Sequence, residues 1–204
     1  MVSGHSETSW TSGSVVSADS DTIPIPVKIV IAGGFGVGKT TMVGSISEIE
    51  PLRTEAAMTS VAEGVDRLNT TTAKTTTTVA MDFGRITLGR GEMILYLFGT
   101  PGQTRFHFMW DELVRGAIGA VVLVDTSRLA ESFAAVDYFE RAGLPFVVGV
   151  NAFDGVVTHR LEMVRSALAI GPEIPMFDID VRRRDSTRDA LVTLVGHSLA
   201  LAND

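Results

Sequence analysis

The sequence predicts an α/β fold on a doubly wound, mostly parallel six-stranded sheet with one antiparallel edge strand and flanking helices. Three patterns lead there. An apolar run, Val27 to Ala32, empties into the glycine-rich segment Gly33-Gly34-Phe35-Gly36-Val37-Gly38-Lys39-Thr40. Further along, unbroken apolar runs alternate with segments of helical period, as expected of strands covered on both faces by crossover helices. Between these lies a hairpin signal, two strand-like stretches joined by Gly89-Arg90-Gly91-Glu92.

In chain order, Ile23-Pro24-Ile25-Pro26 leads into the first strand, Val27 to Ala32, and a helix follows at about Thr40 to Glu48. The stretch from Glu50 to Thr78 has mixed character and ends in the polar run Lys74-Thr75-Thr76-Thr77-Thr78. A loop that long inside a compact domain is usually functional. Strands then run from Val79 to Leu88 and from Met93 to Phe98, the two arms of the hairpin. A helix over Phe108 to Arg115 precedes the buried strand Ala120-Val121-Val122-Leu123-Val124. The helix Leu129 to Arg141, the strand Pro145 to Val150, a helix near Val157 to Ala169 and the short strand Ile174 to Phe177 continue the alternation. A last helix near Asp185 to Leu201 carries Leu191, Leu194, Val195 and Leu199 at helical spacing, read as its core face.

Composition bounds the function classes. With 204 residues, 45% of them hydrophobic, the chain suits one α/β domain with a sizeable core. Residues 1–22 are rich in Ser, Thr and Gly, with Trp10 the only large apolar side chain before Val15, and read as a tail unable to offset its ordering entropy. The domain is expected over residues 23–204. A net charge of −7 argues against non-specific nucleic-acid binding, and the basic cluster Arg182-Arg183-Arg184 is bracketed by Asp180 and Asp185. No apolar run approaches the roughly 18 residues that span a bilayer, no signal peptide is visible, and there is no cysteine to lipidate. A cytoplasmic protein with no direct membrane anchor is expected. His5, His107, His159 and His197 form no metal-ligand spacing.

The segment from Gly33 to Thr40 satisfies G-x-x-x-x-G-K-[ST] and reads as a P-loop. A glycine-rich turn leaving a buried strand lets successive backbone N–H groups converge on the α- and β-phosphates of a nucleotide, while the next helix aims its positive end at them. Lys39 is then placed to reach the β/γ-phosphates and the Thr40 hydroxyl to ligate Mg²⁺. Gly33, Gly34, Phe35, Gly36, Val37, Gly38, Lys39, Thr40 and Thr41 form the candidate phosphate-binding set. The bland alternative is a glycine turn with Lys39 in solvent.

Three further segments stand at the ends of predicted strands, where open α/β sheets bind ligands, and they resemble the motifs of Ras-like GTPases. Thr78-Val79-Ala80-Met81-Asp82-Phe83 looks like the switch I end of Rab-type GTPases, Gly99-Thr100-Pro101-Gly102-Gln103 like the switch II motif D-x-x-G-Q, and Asn151-Ala152-Phe153-Asp154 like the guanine motif N-K-x-D. The proline before Gly102, the loss of the switch II aspartate and the tail Phe177 to Asp185 look most like bacterial members, the gliding-motility MglA proteins and the actinobacterial conservon (CvnD-type) GTPases. The resemblance covers roughly Val27 to the C-terminus. It implies five helices on a six-stranded sheet, GTP/GDP and Mg²⁺ as ligands, and as partners a roadblock-type regulatory protein and a sensor-kinase-like membrane protein. It further implies that Thr78 closes over Mg²⁺ and the γ-phosphate, that Gly102 offers its N–H to that phosphate, and that Gln103 orients the attacking water. Asp154 would accept from guanine N1 and N2, and Asp180-Val181-Arg182 would take the place of the S-A-K loop at guanine O6.

Departures from the pattern matter equally. Gly99 replaces the aspartate that holds a Mg²⁺-bound water, so Mg²⁺ is expected to rest on Thr40, Thr78, phosphate oxygens and water, with weaker affinity. Phe35 is bulky at a position that is small in most active GTPases, and Ala152 replaces a lysine that packs over the base. The expectation is a guanine-nucleotide switch in bacterial signalling that hydrolyses GTP slowly or with partner assistance. A non-hydrolysing nucleotide-dependent interaction module stands beside it, and a P-loop ATPase or kinase behind both.

Overall fold

The computed structural model describes residues 23–60, 75–89 and 92–203. The tail expected over residues 1–22 lies outside them. β1 (Ile25–Gly33), β2 (Leu52–Ser60), β3 (Thr75–Leu88), β4 (Met93–Gly99), β5 (Ala117–Val124), β6 (Phe146–Asn151) and β7 (Met176–Ile179) form one sheet. Its order is β2-β3-β4-β1-β5-β6-β7. β1 pairs parallel with β4 and β5, and β5, β6 and β7 continue in parallel, whereas β3 runs antiparallel to both β2 and β4.

The fold class is the expected one, with seven strands rather than six. The additional strand is β2, in the stretch Glu50 to Thr78 that reads as loop. Leu-Arg-Thr-Glu-Ala-Ala-Met-Thr-Ser offers neither a continuous apolar run nor clean alternation, so its pairing with β3 is what makes it a strand. β3 remains the one strand running against the rest, but β2 now takes the edge that it was expected to occupy.

Strand alternation sorts the apolar side chains onto two faces. From β1, β5 and β6, Val27, Ile29, Ile31, Val121, Leu123 and Val147 pack with Met42, Val43 and Ile46 of α1 (Lys39–Ile46) and Leu191 and Leu194 of α5 (Arg184–Ala202). Val30, Ala32, Val122, Val124, Val148 and Val150 face the other way. They meet Trp110 of α2 (Trp110–Val114), Phe139 of α3 (Phe133–Ala142) and Val164 of α4 (Leu161–Leu168). Both faces being covered is why these strands read as unbroken apolar runs. The helices expected from Phe108 and from Leu129 are each preceded by a 3₁₀ stretch, Thr104–Met109 and Thr126–Ser132. The core face expected for α5 is correct at Leu191 and Leu194 and wrong at Leu199, which is 59% exposed. β1 stands where strand order reverses, so the loop leaving its C-terminal end opens at the switch point of the sheet.

Candidate functional site

Gly33, Gly36 and Gly38 sit at φ +135, +72 and +111, left-handed geometry that L side chains rarely adopt, and they curl the chain into α1. The curl turns the Lys39 ammonium back on its own loop, where it donates to the Gly33 carbonyl at 2.9 Å and to the Gly34 carbonyl at 2.7 Å. Lys39 is buried, and burial pushes its ammonium down to about 8, against the opposing pull of the Asp82 and Glu131 carboxylates. The result is a desolvated cation at the floor of the loop, held by two of its carbonyls.

Beside it, the Thr40 hydroxyl donates to Asp82 Oδ2 at 2.6 Å. Asp82 lies on β3 directly opposite Gly99 of β4 in the antiparallel ladder. A Cβ built on Gly99 would stand 3.1 Å from Asp82 Cβ and 3.2 Å from Asp82 Oδ2. A carboxylate thus stands beside Thr40 from the strand next to Gly99, close enough that a side chain at position 99 would need Asp82 to shift by a few tenths of an ångström. The register was legible in principle: Asp82 is six residues before Leu88, and Gly99 six after its partner Met93.

Thr78 is not brought to Thr40. It lies inside β3, paired with Ala57 of β2, four residues before Asp82 and so roughly 13 Å along the strand at about 3.3 Å per residue. Its side chain lies outside the described residues. Gly102 is brought close: a Cβ there would stand 2.7 Å from Lys39 Nζ and 2.9 Å from the Gly34 oxygen and Phe35 Cα, so only glycine fits against the loop. Gln103 follows at the start of the 3₁₀ turn, its carbonyl accepting from Phe106 N at 3.0 Å. The Phe35 ring is 62% exposed.

At the other end of the loop, Asn151 closes β6. Its amide donates to the Val37 carbonyl at 3.0 Å and its Oδ1 accepts from Val181 N at 3.5 Å, tying the P-loop to the 180–182 loop. Asp154, three residues on, has φ +55 and an exposed carboxylate that accepts from Arg182 Nη1 at 2.8 Å. Arg182 is held on its other edge by Asp180, through Nε and Nη2 at 2.9 Å each, and this pairing keeps the Asp180 carboxyl below its usual range. A cavity of about 180 Å³ opens among Gly36, Gly38, Thr41, Ala152, Phe153 and these residues. Thr41, Asn151, Asp154, Asp180, Val181 and Arg182, far apart in the chain, thus line one space contiguous with the P-loop.

A buried lysine cradled by a glycine loop at the switch point, with a hydroxyl and a carboxylate beside it, defines a P-loop nucleotide-binding domain. Its fold is that of G-domains. The chain belongs to the family described as "Conserved hypothetical ATP binding protein", which matches residues 31–169. It is 28% identical over 130 residues to the uncharacterized protein MJ1339 of Methanocaldococcus jannaschii, a match that takes in 63% of this chain and 71% of that one. Among solved structures it resembles the cytosolic domain of the T. maritima FeoB iron transporter in apo form, at TM-score 0.59 and 14% identity. That likeness covers 85% of this chain and 64% of the other, so the chain spans under two thirds of that domain. The FeoB G-domain from Methanococcus jannaschii is similar at TM-score 0.54 and 10% identity, covering 85% and 98% of the two chains. None of the described helices is long and apolar enough to cross a membrane.

Proposed function

We propose that this protein is a guanine-nucleotide switch that binds GTP and GDP with Mg²⁺ and hydrolyses GTP slowly or with a partner's help. The observation that carries the reading is the Asn151 staple, which joins the phosphate loop to the 180–182 loop and leaves Asp154 on the rim of the cavity between them. In that arrangement a purine held on the phosphate loop presents its edge to Asp154, which accepts from guanine N1 and N2 once Arg182 has given way. A base lacking those donors has nothing to offer in exchange for Arg182, and Asp154 would stay with the guanidinium.

The donor set suits Mg²⁺, a hard cation that keeps several waters and takes few protein oxygens. Thr40 would hold it directly and Asp82 would orient that hydroxyl. Thr78 is assigned to the same ion, which requires residues 75–80 to leave their ladder with β2. When bound, the ion would neutralise negative charge on the nucleotide's phosphates. Lys39 would leave the Gly33 and Gly34 carbonyls for the β/γ-phosphates, and Gly102, now against Lys39, would move to admit the γ-phosphate. Gln103 would orient the attacking water. A roadblock-type regulator that orders the Gln103 loop, and recruitment to a membrane through a sensor-kinase-like protein, belong to the same reading.

A second reading, an adenine-nucleotide site, is favoured by the family's description and by the engagement of Asp154 with Arg182. Competition of GTP, GDP, ATP and ADP against a labelled GDP analogue separates the two. Displacement by ATP as effective as by GTP would overturn the guanine reading. Single-turnover hydrolysis by wild type and Gln103→Ala then tells an enzyme from a module. Turnover at or below about 10⁻³ s⁻¹, and reduced in the variant, supports the enzyme; none under any condition, with nucleotide-dependent partner binding, supports the module.

A further inference from the structure

The turn that follows β5 carries three charges that neither phosphate nor base recognition has used. Asp125 ends the strand and caps the turn, its Oδ1 accepting from Ser127 N at 2.9 Å and Ser127 Oγ at 2.6 Å. Burial works against its charge, but these bonds and Arg128 outweigh burial and hold the carboxyl below its usual range. Arg128 donates to Asp125 Oδ2 through Nε at 3.1 Å and Nη2 at 3.0 Å, and its Nη1 stands 3.7 Å from Glu131.

This cluster lies against the phosphate loop. A Cβ built on Gly36 would stand 3.4 Å from Arg128 Nη2 and 3.8 Å from Nη1, and one on Gly34 would stand 2.5 Å from Glu131 Oε2. A cation thus faces the loop at one glycine and an anion at another. The three groups sum to one negative charge beside a site built for polyanions. Glu131 also draws on the Lys39 ammonium, the group that must meet the β/γ-phosphates.

We infer that the Arg128–Glu131 pair sets the rate at which the P-loop releases its nucleotide, Arg128 retaining it and Glu131 expelling it. The inference rests on the reading that this loop holds nucleotide phosphates. Removing Arg128 leaves Glu131 facing the loop unopposed, with the Asp125 carboxylate behind it, whereas neutralising Glu131 leaves the remaining charges balanced. Arg128 and Glu131 lie close enough to the loop for each change to be felt at the phosphates, and both are about two-fifths exposed, so salt screens the effect. Opposite signs from adjacent residues distinguish this from a merely structural clamp, in which breaking the pair from either side loosens the turn.

The experiment is release of a fluorescent GDP from the preloaded full chain, chased with excess unlabelled GDP at low and raised ionic strength, with melting temperatures recorded in parallel. Arg128→Ala is expected to speed release by about tenfold, Arg128→Lys by less, and Glu131→Gln to slow it several-fold. The difference between wild type and Arg128→Ala should narrow as ionic strength rises. Faster release in Glu131→Gln, or unchanged release in Arg128→Ala, overturns the inference whatever the melting temperatures. If wild type takes ADP and not GDP, the guanine reading fails alone, and the same series with labelled ADP still reads the pair. Binding of neither nucleotide overturns both.

Discussion

Asp82 and Gly99 face each other across the β3–β4 ladder, and the carboxylate of the first crowds the position a Cβ of the second would take while accepting a 2.6 Å hydrogen bond from Thr40. A carboxylate behind the P-loop threonine is thereby kept, from the adjacent strand. Asp82→Asn keeps the shape and removes the charge, and is expected to weaken Mg²⁺-dependent nucleotide binding by about 10–100-fold. Calorimetry with and without Mg²⁺ checks it. The exchange Asp82→Gly with Gly99→Asp, which moves the carboxylate to β4, should recover part of the loss seen in Asp82→Gly alone.

The lowered Lys39 sets a pH dependence. In the free protein this group loses its proton above about pH 8, and a bound polyphosphate favours the charged form, so binding above that pH must take up a proton. Nucleotide affinity should be level below about pH 7 and fall above about pH 8, approaching tenfold per unit. Because the folded value lies below the unfolded one, the burial penalty is fully present below pH 8 and is relieved as pH rises toward 10.5. Stability of the nucleotide-free protein should therefore gain from this group over the range in which affinity falls. Titration of both quantities, with Lys39→Ala as control, would show neither trend in the variant.

Asn151→Ala strips the Val37 carbonyl and the Val181 N–H of their buried partner. A cost of about 1–3 kcal/mol in denaturant-measured stability is expected, together with weaker nucleotide binding. Asp154→Asn leaves the staple intact and should change base preference toward xanthine nucleotides with little effect on stability. Comparable stability losses in the two variants would contradict this division of labour.

Two leucines on one helix test the packing. Leu194 is fully buried and Leu199 mostly exposed, so Leu194→Ala should cost about 2–5 kcal/mol and Leu199→Ala stay within about 0.5 kcal/mol. Urea midpoints decide it.

The P-loop, the parallel core strands and the order of motifs are legible in the sequence because each rests on short-range pattern. Glycines at fixed offsets from a lysine, and runs such as Ala120 to Val124, mean the same thing in any context. β2 was not legible, since Leu52–Ser60 becomes a strand through its partner, and neither was the exposure of Leu199, because helical period marks a stripe without saying how closely each position packs on the sheet.

Local pattern alone therefore determined that this chain is a doubly wound α/β domain with a phosphate-binding loop after its first core strand. Which carboxylate stands behind Thr40, which cation and anion flank Gly36 and Gly34, and whether Asp154 is free or paired were decided only by folding. Each depends on register and on loops meeting in space, between residues 42 positions apart at Thr40–Asp82 and 28 apart at Asp154–Arg182. Charge interactions of that kind are set by distance in space, and single-sequence spacing carries no measure of it.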